Sequence, residues 1–315
     1  MPLYFLLFFL GLVGLWFGSE LIIRGAIKIS RQLGLSETFV GLTILAIGTD
    51  FPEIMVSLTG AIERNQGIET SGIIVGNVIG SNMGQIALVM GIAGLFRVLK
   101  MKKEKVLYNG LVLILSTFIF FVLALDGEIS KTDGFIFLVL YLFYFITLKK
   151  QSSLEKIKLK IKREKSKSFL PLLQLAVGLV IIAESSQLVI EKGIEIASLL
   201  GLSQYVIGVV LVGIGTSLPE MVVSISAVLK KADGLSMGNL IGSNIVDILV
   251  ALGSGAVISG WNVDRRAVTF DLPFLLLTVV VVVLFMFTRE RLERKESLLL
   301  LSLYGIYITL KLNGW

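Results

Sequence analysis

The sequence contains no cysteine and no histidine among its 315 residues. The absence of cysteine excludes disulfides, iron–sulfur clusters and thiolate nucleophiles, and the absence of histidine removes both the usual transition-metal ligand and the Ser–His type of triad. The remaining ligands are oxygen atoms from acidic, hydroxyl and amide side chains and from backbone carbonyls. Such atoms suit hard cations such as Ca²⁺, Mg²⁺ and Na⁺.

Charged residues are also scarce. They make up 17% of the chain, whereas hydrophobic residues make up 55% and the mean hydropathy is +0.89. Soluble domains carry about 25% charged residues, so this chain has too little polar surface to cover a water-soluble globule. The composition excludes a cytosolic enzyme, a disordered chain and a nucleic-acid module, and it predicts an integral membrane protein.

Ten segments are long and apolar enough to span a bilayer, for which about 20 residues are needed. The predicted fold is an all-α integral membrane protein of ten transmembrane helices. The segments are residues 3–23, 38–60, 72–96, 106–125, 134–148, 169–190, 204–229, 235–259, 269–288 and 297–312.

Most of the 29 Lys and Arg residues lie in loops on one predicted side of the membrane, including the run 149–167. The positive-inside rule makes this side cytoplasmic and places both termini outside the cell, in a multi-pass protein of the cell membrane. The net charge of +6 thus follows from topology, and no nucleic-acid partner is expected.

The only long polar connector, residues 149–168, separates two halves of five spans each, residues 1–148 and 169–315. We interpret it as a basic cytoplasmic linker. Its spaced apolar residues leave a second interpretation open, a basic amphipathic helix attracted to anionic lipids.

Two motifs occur once in each half. The sequence GTDFPE at Gly48–Glu53 recurs as GTSLPE at Gly215–Glu220, and GNVIGSN at Gly76–Asn82 recurs as GNLIGSN at Gly238–Asn244. Because each half has an odd number of spans, the second half enters the membrane from the opposite side. This predicts two inverted five-helix repeats, an architecture common in secondary transporters with a site at the midplane. The GxxxG spacing of the second motif predicts close helix packing.

The first motif predicts a broken helix beside a carboxylate. Pro52 and Pro219 lack the N–H that a helix interior needs, so each frees a carbonyl one turn upstream. Within hydrocarbon such a carbonyl is tolerated only where it faces protein or a polar cavity. Glu53 and Glu220 follow the breaks, and an intramembrane carboxylate is a functional candidate by default.

Asp50 and Asp247 raise the number of carboxylates in these spans to four, and no Lys or Arg lies in the four spans that carry the motifs. The neutralising charge is therefore expected from bound cations or protons. Further oxygen-bearing candidates are Thr49, Thr216, Ser217, Ser81, Ser243 and Gln85. Asn77 and Asn239 either bind cations or hydrogen-bond the broken helices.

The paired motifs resemble the α-repeats of the calcium/cation antiporter superfamily, in particular its prokaryotic sodium/calcium-exchanger-like or cation/proton-exchanger-like members. The resemblance covers essentially the whole chain and implies this fold and Ca²⁺ antiport. Together with the inverted repeats, it leads us to expect transport by alternating access, without enzymatic activity and without a cofactor besides the transported ions. The resemblance implies that Glu53, Glu220 and the carbonyls of Thr49 and Thr216 hold Ca²⁺. By the same resemblance, the coupling cation is bound with help from Ser217, Ser81, Ser243, Gln85 and Asp247.

The first half departs from the family pattern. Asp50 stands where sodium-coupled members usually have Ser, and Gln85 where a shorter Asn or Asp is usual. Two neighbouring carboxylates in a low dielectric favour retention of a proton, so we expect Ca²⁺/H⁺ antiport, with Na⁺/Ca²⁺ exchange as the alternative. The expected partners are the lipid bilayer and the transported cations, without an obligate protein partner.

A channel and an intramembrane hydrolase are the competing functions. Inverted repeats with helices broken at the midplane favour alternating access over a conducting pore. Paired acids can perform acid–base catalysis, but the sequence offers no evident nucleophile–base pair.

Overall fold

A computed structural model describes residues 2–158, 168–199 and 217–313, most of which are helical. In the first half α1 spans Pro2–Leu33, α2 Glu37–Thr49, α3 Phe51–Asn65, α4 Ser71–Phe96, α5 Lys103–Leu123 and α6 Lys131–Lys158. In the second half α7 spans Leu170–Leu199, α8 Leu218–Leu229, α9 Asp233–Ser259, α10 Ala267–Arg289 and α11 Arg294–Leu312.

Within the described residues, seven helices are long and apolar enough to cross a membrane, or eight if α2 and α3, which meet at a 45° bend, form one broken span. These helices correspond to the predicted spans except 204–229 and 297–312. Residues 204–216 lie outside the described part, and the remainder of that segment forms α8. The last segment forms α11, whose apolar stretch is bounded by charged residues at both ends. The count of ten spans stays a prediction.

Two short antiparallel strand pairs join loops of the first half to loops of the second. β1 (Leu99–Lys100) pairs with β4 (Arg291–Leu292), and β2 (Glu128–Ile129) pairs with β3 (Trp261–Asn262). The first pair connects two loops predicted to be cytoplasmic, and the second connects two loops predicted to lie outside.

The helices α1 and α7 pack along each other and form an apolar core separate from the main one. Buried residues of this core include Leu15, Ile22, Leu175 and Ile182. The backbones come close because the contact contains glycine: a Cβ built on Gly18 would lie 3.1 Å from the Gly178 carbonyl oxygen.

The helices α2 and α9 approach each other most closely where the second motif lies. A Cβ built on Gly238 would lie 2.6 Å from the carbonyl oxygen of Thr38, and one built on Gly242 would lie 2.8 Å from the Cα of Leu42. Any side chain there would displace backbone, so glycine is required for this approach. The contact holds the broken span α2–α3 against the helix that carries Asp247.

The helix α6 continues to Lys158, ten residues beyond the predicted end of the fifth span at residue 148. Part of the segment predicted as a linker is therefore helical. Residues 159–167, which contain the rest of the basic run, lie outside the described residues.

Candidate cation site

The third residue of each GTxxPE motif lies directly before the first residue of a helix. Asp50 has φ −82° and ψ 5°, between the end of α2 and the start of α3, and Ser217 has φ −91° and ψ 8° immediately before α8. Pro52 and Pro219 lie in the first turn of the helix that follows, where a missing N–H costs nothing. The prolines thus begin new helices, whereas the sequence suggested a break inside one span.

Both motif glutamates lie at helix N-termini. Glu53 lies in the first turn of α3 and Glu220 in the first turn of α8. The unpaired N–H groups of a first turn and the helix macrodipole favour negative charge there. This arrangement makes two buried carboxylates tolerable without supplying a full positive charge.

Asp50, Glu53 and Glu220 form a cluster that we call the acid trio. One carboxylate oxygen from each lies within 4.8 Å of the others, and the three residues are at most 4% exposed. Both oxygens of Asp50, both of Glu220 and one of Glu53 form no hydrogen bond with any described residue. None of the ion pairs in the described part of the chain includes the trio. Such a set of unsatisfied carboxylates matches the ligands of Ca²⁺.

Asp247, the fourth carboxylate, is held by amides from α4. Asn82 Nδ2 and Gln85 Nε2 donate to Asp247 Oδ2 over 3.3 and 3.4 Å, and Gln85 Nε2 also donates to Ser81 Oγ over 3.1 Å. The Ser81 hydroxyl lies 3.4 Å from that of Ser217. Four of the predicted candidates are thus joined in one buried polar network.

The segments carrying Gln85 and Asp247 have the same unusual backbone. Gly84–Val89 and Asp247–Leu252 are π-helical and begin two and three residues after the end of the second motif in their halves. Such wide turns occur often at functional sites because they redirect side chains within a helix.

Thr49 and Asn239 link the broken span to α9. Thr49 Oγ1 donates to the Leu45 carbonyl over 3.1 Å and lies 3.5 Å from Asn239 Oδ1, while Asn239 Nδ2 donates to Ser224 Oγ over 3.2 Å. The hydroxyl of Ser243 is buried and has no hydrogen-bond partner among the described residues.

Two candidates have no described contact within this arrangement. Asn77 is only half-buried and forms no hydrogen bond with the other described candidates. Thr216, expected to offer a carbonyl, lies outside the described residues.

Sequence reasoning did not assign roles to Asn82 and Asn244. Asn82 contacts Asp247, and Asn244 Nδ2 donates to Gln85 Oε1 over 2.7 Å. Both close the repeated GNxIGSN motif, so their occurrence in each half was the signal that could have identified them.

Comparison with known proteins identifies the family. The sequence profile described as "Sodium/calcium exchanger protein" matches residues 3–149 and 170–313. The chain belongs to this family. It is 29% identical to the sodium/calcium exchanger MaX1 of Methanosarcina acetivorans, with 96% of this chain and 97% of MaX1 covered. It is 33% identical to CaxA of Alkalimonas amylolytica, with 93% and 94% covered.

A solved exchanger structure also superposes on the chain. The sodium-calcium exchanger NCX_Mj, soaked with Na⁺ and Ca²⁺, matches with a TM-score of 0.83 and 30% identity over 98% of each chain. The likeness confirms an all-helical membrane fold. As a member of the sodium/calcium exchanger family, the chain is a multi-pass antiporter-type transporter of cations.

Proposed function

We propose that the chain exchanges Ca²⁺ for H⁺ by alternating access, with the acid trio as the Ca²⁺ site. The observation that carries the proposal is the trio itself, three buried carboxylates with five oxygens that no described residue satisfies. Ca²⁺ takes six to eight oxygen ligands in flexible geometry. In this proposal the ion is cargo, and the protein supplies the ligands.

Protons are the proposed coupling ion because of the charge of Asp50. Three ionised carboxylates exceed the charge of one Ca²⁺ ion by one, and an uncompensated buried charge is costly. Without Ca²⁺ the trio therefore binds protons, with Asp50 as a third group that can hold one. Ca²⁺ displaces these protons from the same oxygens, so the two cations compete.

The remaining candidates complete the proposed site. Glu53 and Glu220 bind Ca²⁺ directly, with the carbonyls of Thr49 and Thr216. Asp50 carries the exchanged proton next to them. The coupling region extends over Ser217, Ser81, Ser243, Gln85 and Asp247, with Asn77 and Asn239 supporting the broken helices.

We also propose that two inverted repeats, residues 1–148 and 169–315, build this site, with the basic linker 149–168 in the cytoplasm and both termini outside. The equivalent backbone angles at Asp50 and Ser217, the matched π-helical turns and the strand pairs between halves support this arrangement. Inverted repeats place a site between two bundles that can rock against each other.

Na⁺/Ca²⁺ exchange at the same Ca²⁺ site is the second candidate. MaX1 and NCX_Mj are both named as sodium/calcium exchangers. The buried hydroxyls of Ser81 and Ser217, 3.4 Å apart, provide neutral oxygens of the kind that Na⁺ accepts.

Radioactive Ca²⁺ uptake into proteoliposomes under separately imposed pH and Na⁺ gradients tests the proposal. We expect a pH gradient to drive uptake of the wild-type protein without Na⁺, because protons leaving the trio make room for Ca²⁺. Asp50→Ser removes the excess acid and should weaken the response to the pH gradient. Uptake driven by Na⁺ alone and indifferent to pH would overturn proton coupling in favour of the second candidate.

A further inference from the structure

Tyr141, on α6, lies outside both repeated motifs, yet its helix packs against the segment that carries Asp247. The helix α6 contacts the π-helical turn Asp247–Leu252 and the end of α9 that follows it. A Cβ built on Gly253 of α9 would lie 2.9 Å from the Cβ of Phe137. Tyr141 comes one turn further along α6 and therefore lies at the depth of the site.

The hydroxyl of Tyr141 can donate a hydrogen bond, and the carboxylate of Asp50 can accept one. The Tyr141 hydroxyl is buried and has no hydrogen-bond partner in the described part of the chain, and the same holds for both oxygens of Asp50. The turn Asp247–Leu252 packs against both α6, which carries Tyr141, and α3, which begins directly after Asp50. An electrostatic interaction between Tyr141 and Asp50 agrees with this placement. A buried polar group without a partner is unfavourable, and here a donor lies near an acceptor.

Tyr144, on the neighbouring turn of α6, differs from Tyr141 in having a hydrogen-bond partner. Tyr144 donates from its hydroxyl to Asn109 Oδ1 of α5 over 3.0 Å. Its ring stacks on Tyr108 at a centroid distance of 6.1 Å and lies 6.3 Å from the ring of Tyr141. Tyr144 thus has its own partner on α5, in contrast to Tyr141.

We propose that Tyr141 is a positioning residue of the cation site. Its hydroxyl donates to an oxygen of Asp50, directly or through one water molecule, and holds that carboxyl group towards Glu53 and Glu220. A protonated carboxyl group keeps an acceptor oxygen, so the contact persists in either charge state of Asp50. The inference rests on the proposed function, since it requires that Asp50 belongs to the Ca²⁺ site.

A double-mutant cycle tests the inference. Tyr141→Phe is measured in the wild-type protein and in Asp50→Ser by the dependence of Ca²⁺ uptake on Ca²⁺ concentration. We expect the half-saturating Ca²⁺ concentration to rise about tenfold in the single variant, as for loss of a hydrogen bond to a charged group. In the Asp50→Ser background the substitution should add no further change.

Tyr144→Phe is the matched control, because it removes a buried hydroxyl from the same helix without touching Asp50, and it should leave the half-saturating concentration unchanged. Phe differs from Tyr only by the missing hydroxyl, so both variants should elute as single symmetric peaks in size-exclusion chromatography like the wild-type protein.

The outcomes separate the inference from the proposed function. An unchanged half-saturating concentration in Tyr141→Phe, or an equal rise in both backgrounds, would overturn the role of Tyr141 while the effect of Asp50→Ser on pH-driven uptake still stood. If Asp50→Ser itself transports Ca²⁺ with wild-type affinity and pH response, the role of Asp50 fails, and the proposed function fails with it.

Discussion

Glu53 and Glu220 have the most direct expected effect on transport at the residue scale. Glu53→Gln or Glu220→Gln keeps the shape of the side chain and removes one charge from a site that balances a divalent cation. Removing one member of a buried charge pair costs about 2–5 kcal/mol, so Ca²⁺ binding should weaken at least about thirtyfold. Radioactive Ca²⁺ uptake by purified, reconstituted variants measures the loss.

The control for this substitution is Glu63→Gln, which alters a glutamate near the end of the same helix as Glu53 and outside the trio. All variants should elute as single symmetric peaks in size-exclusion chromatography, because glutamine fits the same space. Wild-type uptake by either trio variant would exclude the assigned Ca²⁺ site.

The site residues differ in how far sequence alone could identify them. The four carboxylates were predictable because charged groups inside apolar spans need a compensating partner. Asn82 and Asn244 were visible in the repeat, but asparagine also caps and braces broken helices, so its role needed coordinates. Nothing in the sequence indicated a role for Tyr141, because neither repeated motif contains it. Its proximity to Asp50 depends on the packing of α6.

At the scale of elements, hydropathy located the spans better than it located the helix ends. The segment 38–60 was predicted as one interrupted span, whereas the structure forms two helices that meet at 45° with Asp50 at the junction. Proline in a first helical turn starts a helix as readily as it interrupts one, and only the tertiary structure decides between the two.

At the end of α6 the predicted segment is shorter than the helix. Hydropathy ends the span at residue 148, where apolar residues give way to lysine, but the helix continues to Lys158. Residues 149–158 contain no proline or glycine, so nothing in the sequence stops the backbone hydrogen-bond ladder. Bilayer thickness limits the apolar stretch and does not limit the helix.

The two-residue strands β1 to β4 could not be predicted, because a pair of residues carries no alternating pattern. They form where loops from different halves meet at the ends of the helix bundle. Their pairing is a consequence of how the halves are arranged.

At the scale of the whole molecule, the proposed topology can be tested because the chain has no cysteine. Ser153→Cys lies at the end of α6 on the side predicted to be cytoplasmic, and Glu128→Cys lies in an exposed position of β2 on the opposite side. A membrane-impermeant thiol reagent added to intact cells should label only the Glu128→Cys variant. Labelling of Ser153→Cys alone would reverse the orientation.

The central claim is that Ca²⁺ and protons compete for the same buried carboxylates. Proton release on Ca²⁺ addition, followed with a pH indicator in weakly buffered detergent solution, tests this claim most directly. We predict that release saturates together with Ca²⁺ binding, is smaller in Asp50→Ser, and disappears in Glu53→Gln. Saturable Ca²⁺ binding without proton release, reversed by Na⁺ at constant pH, would contradict it.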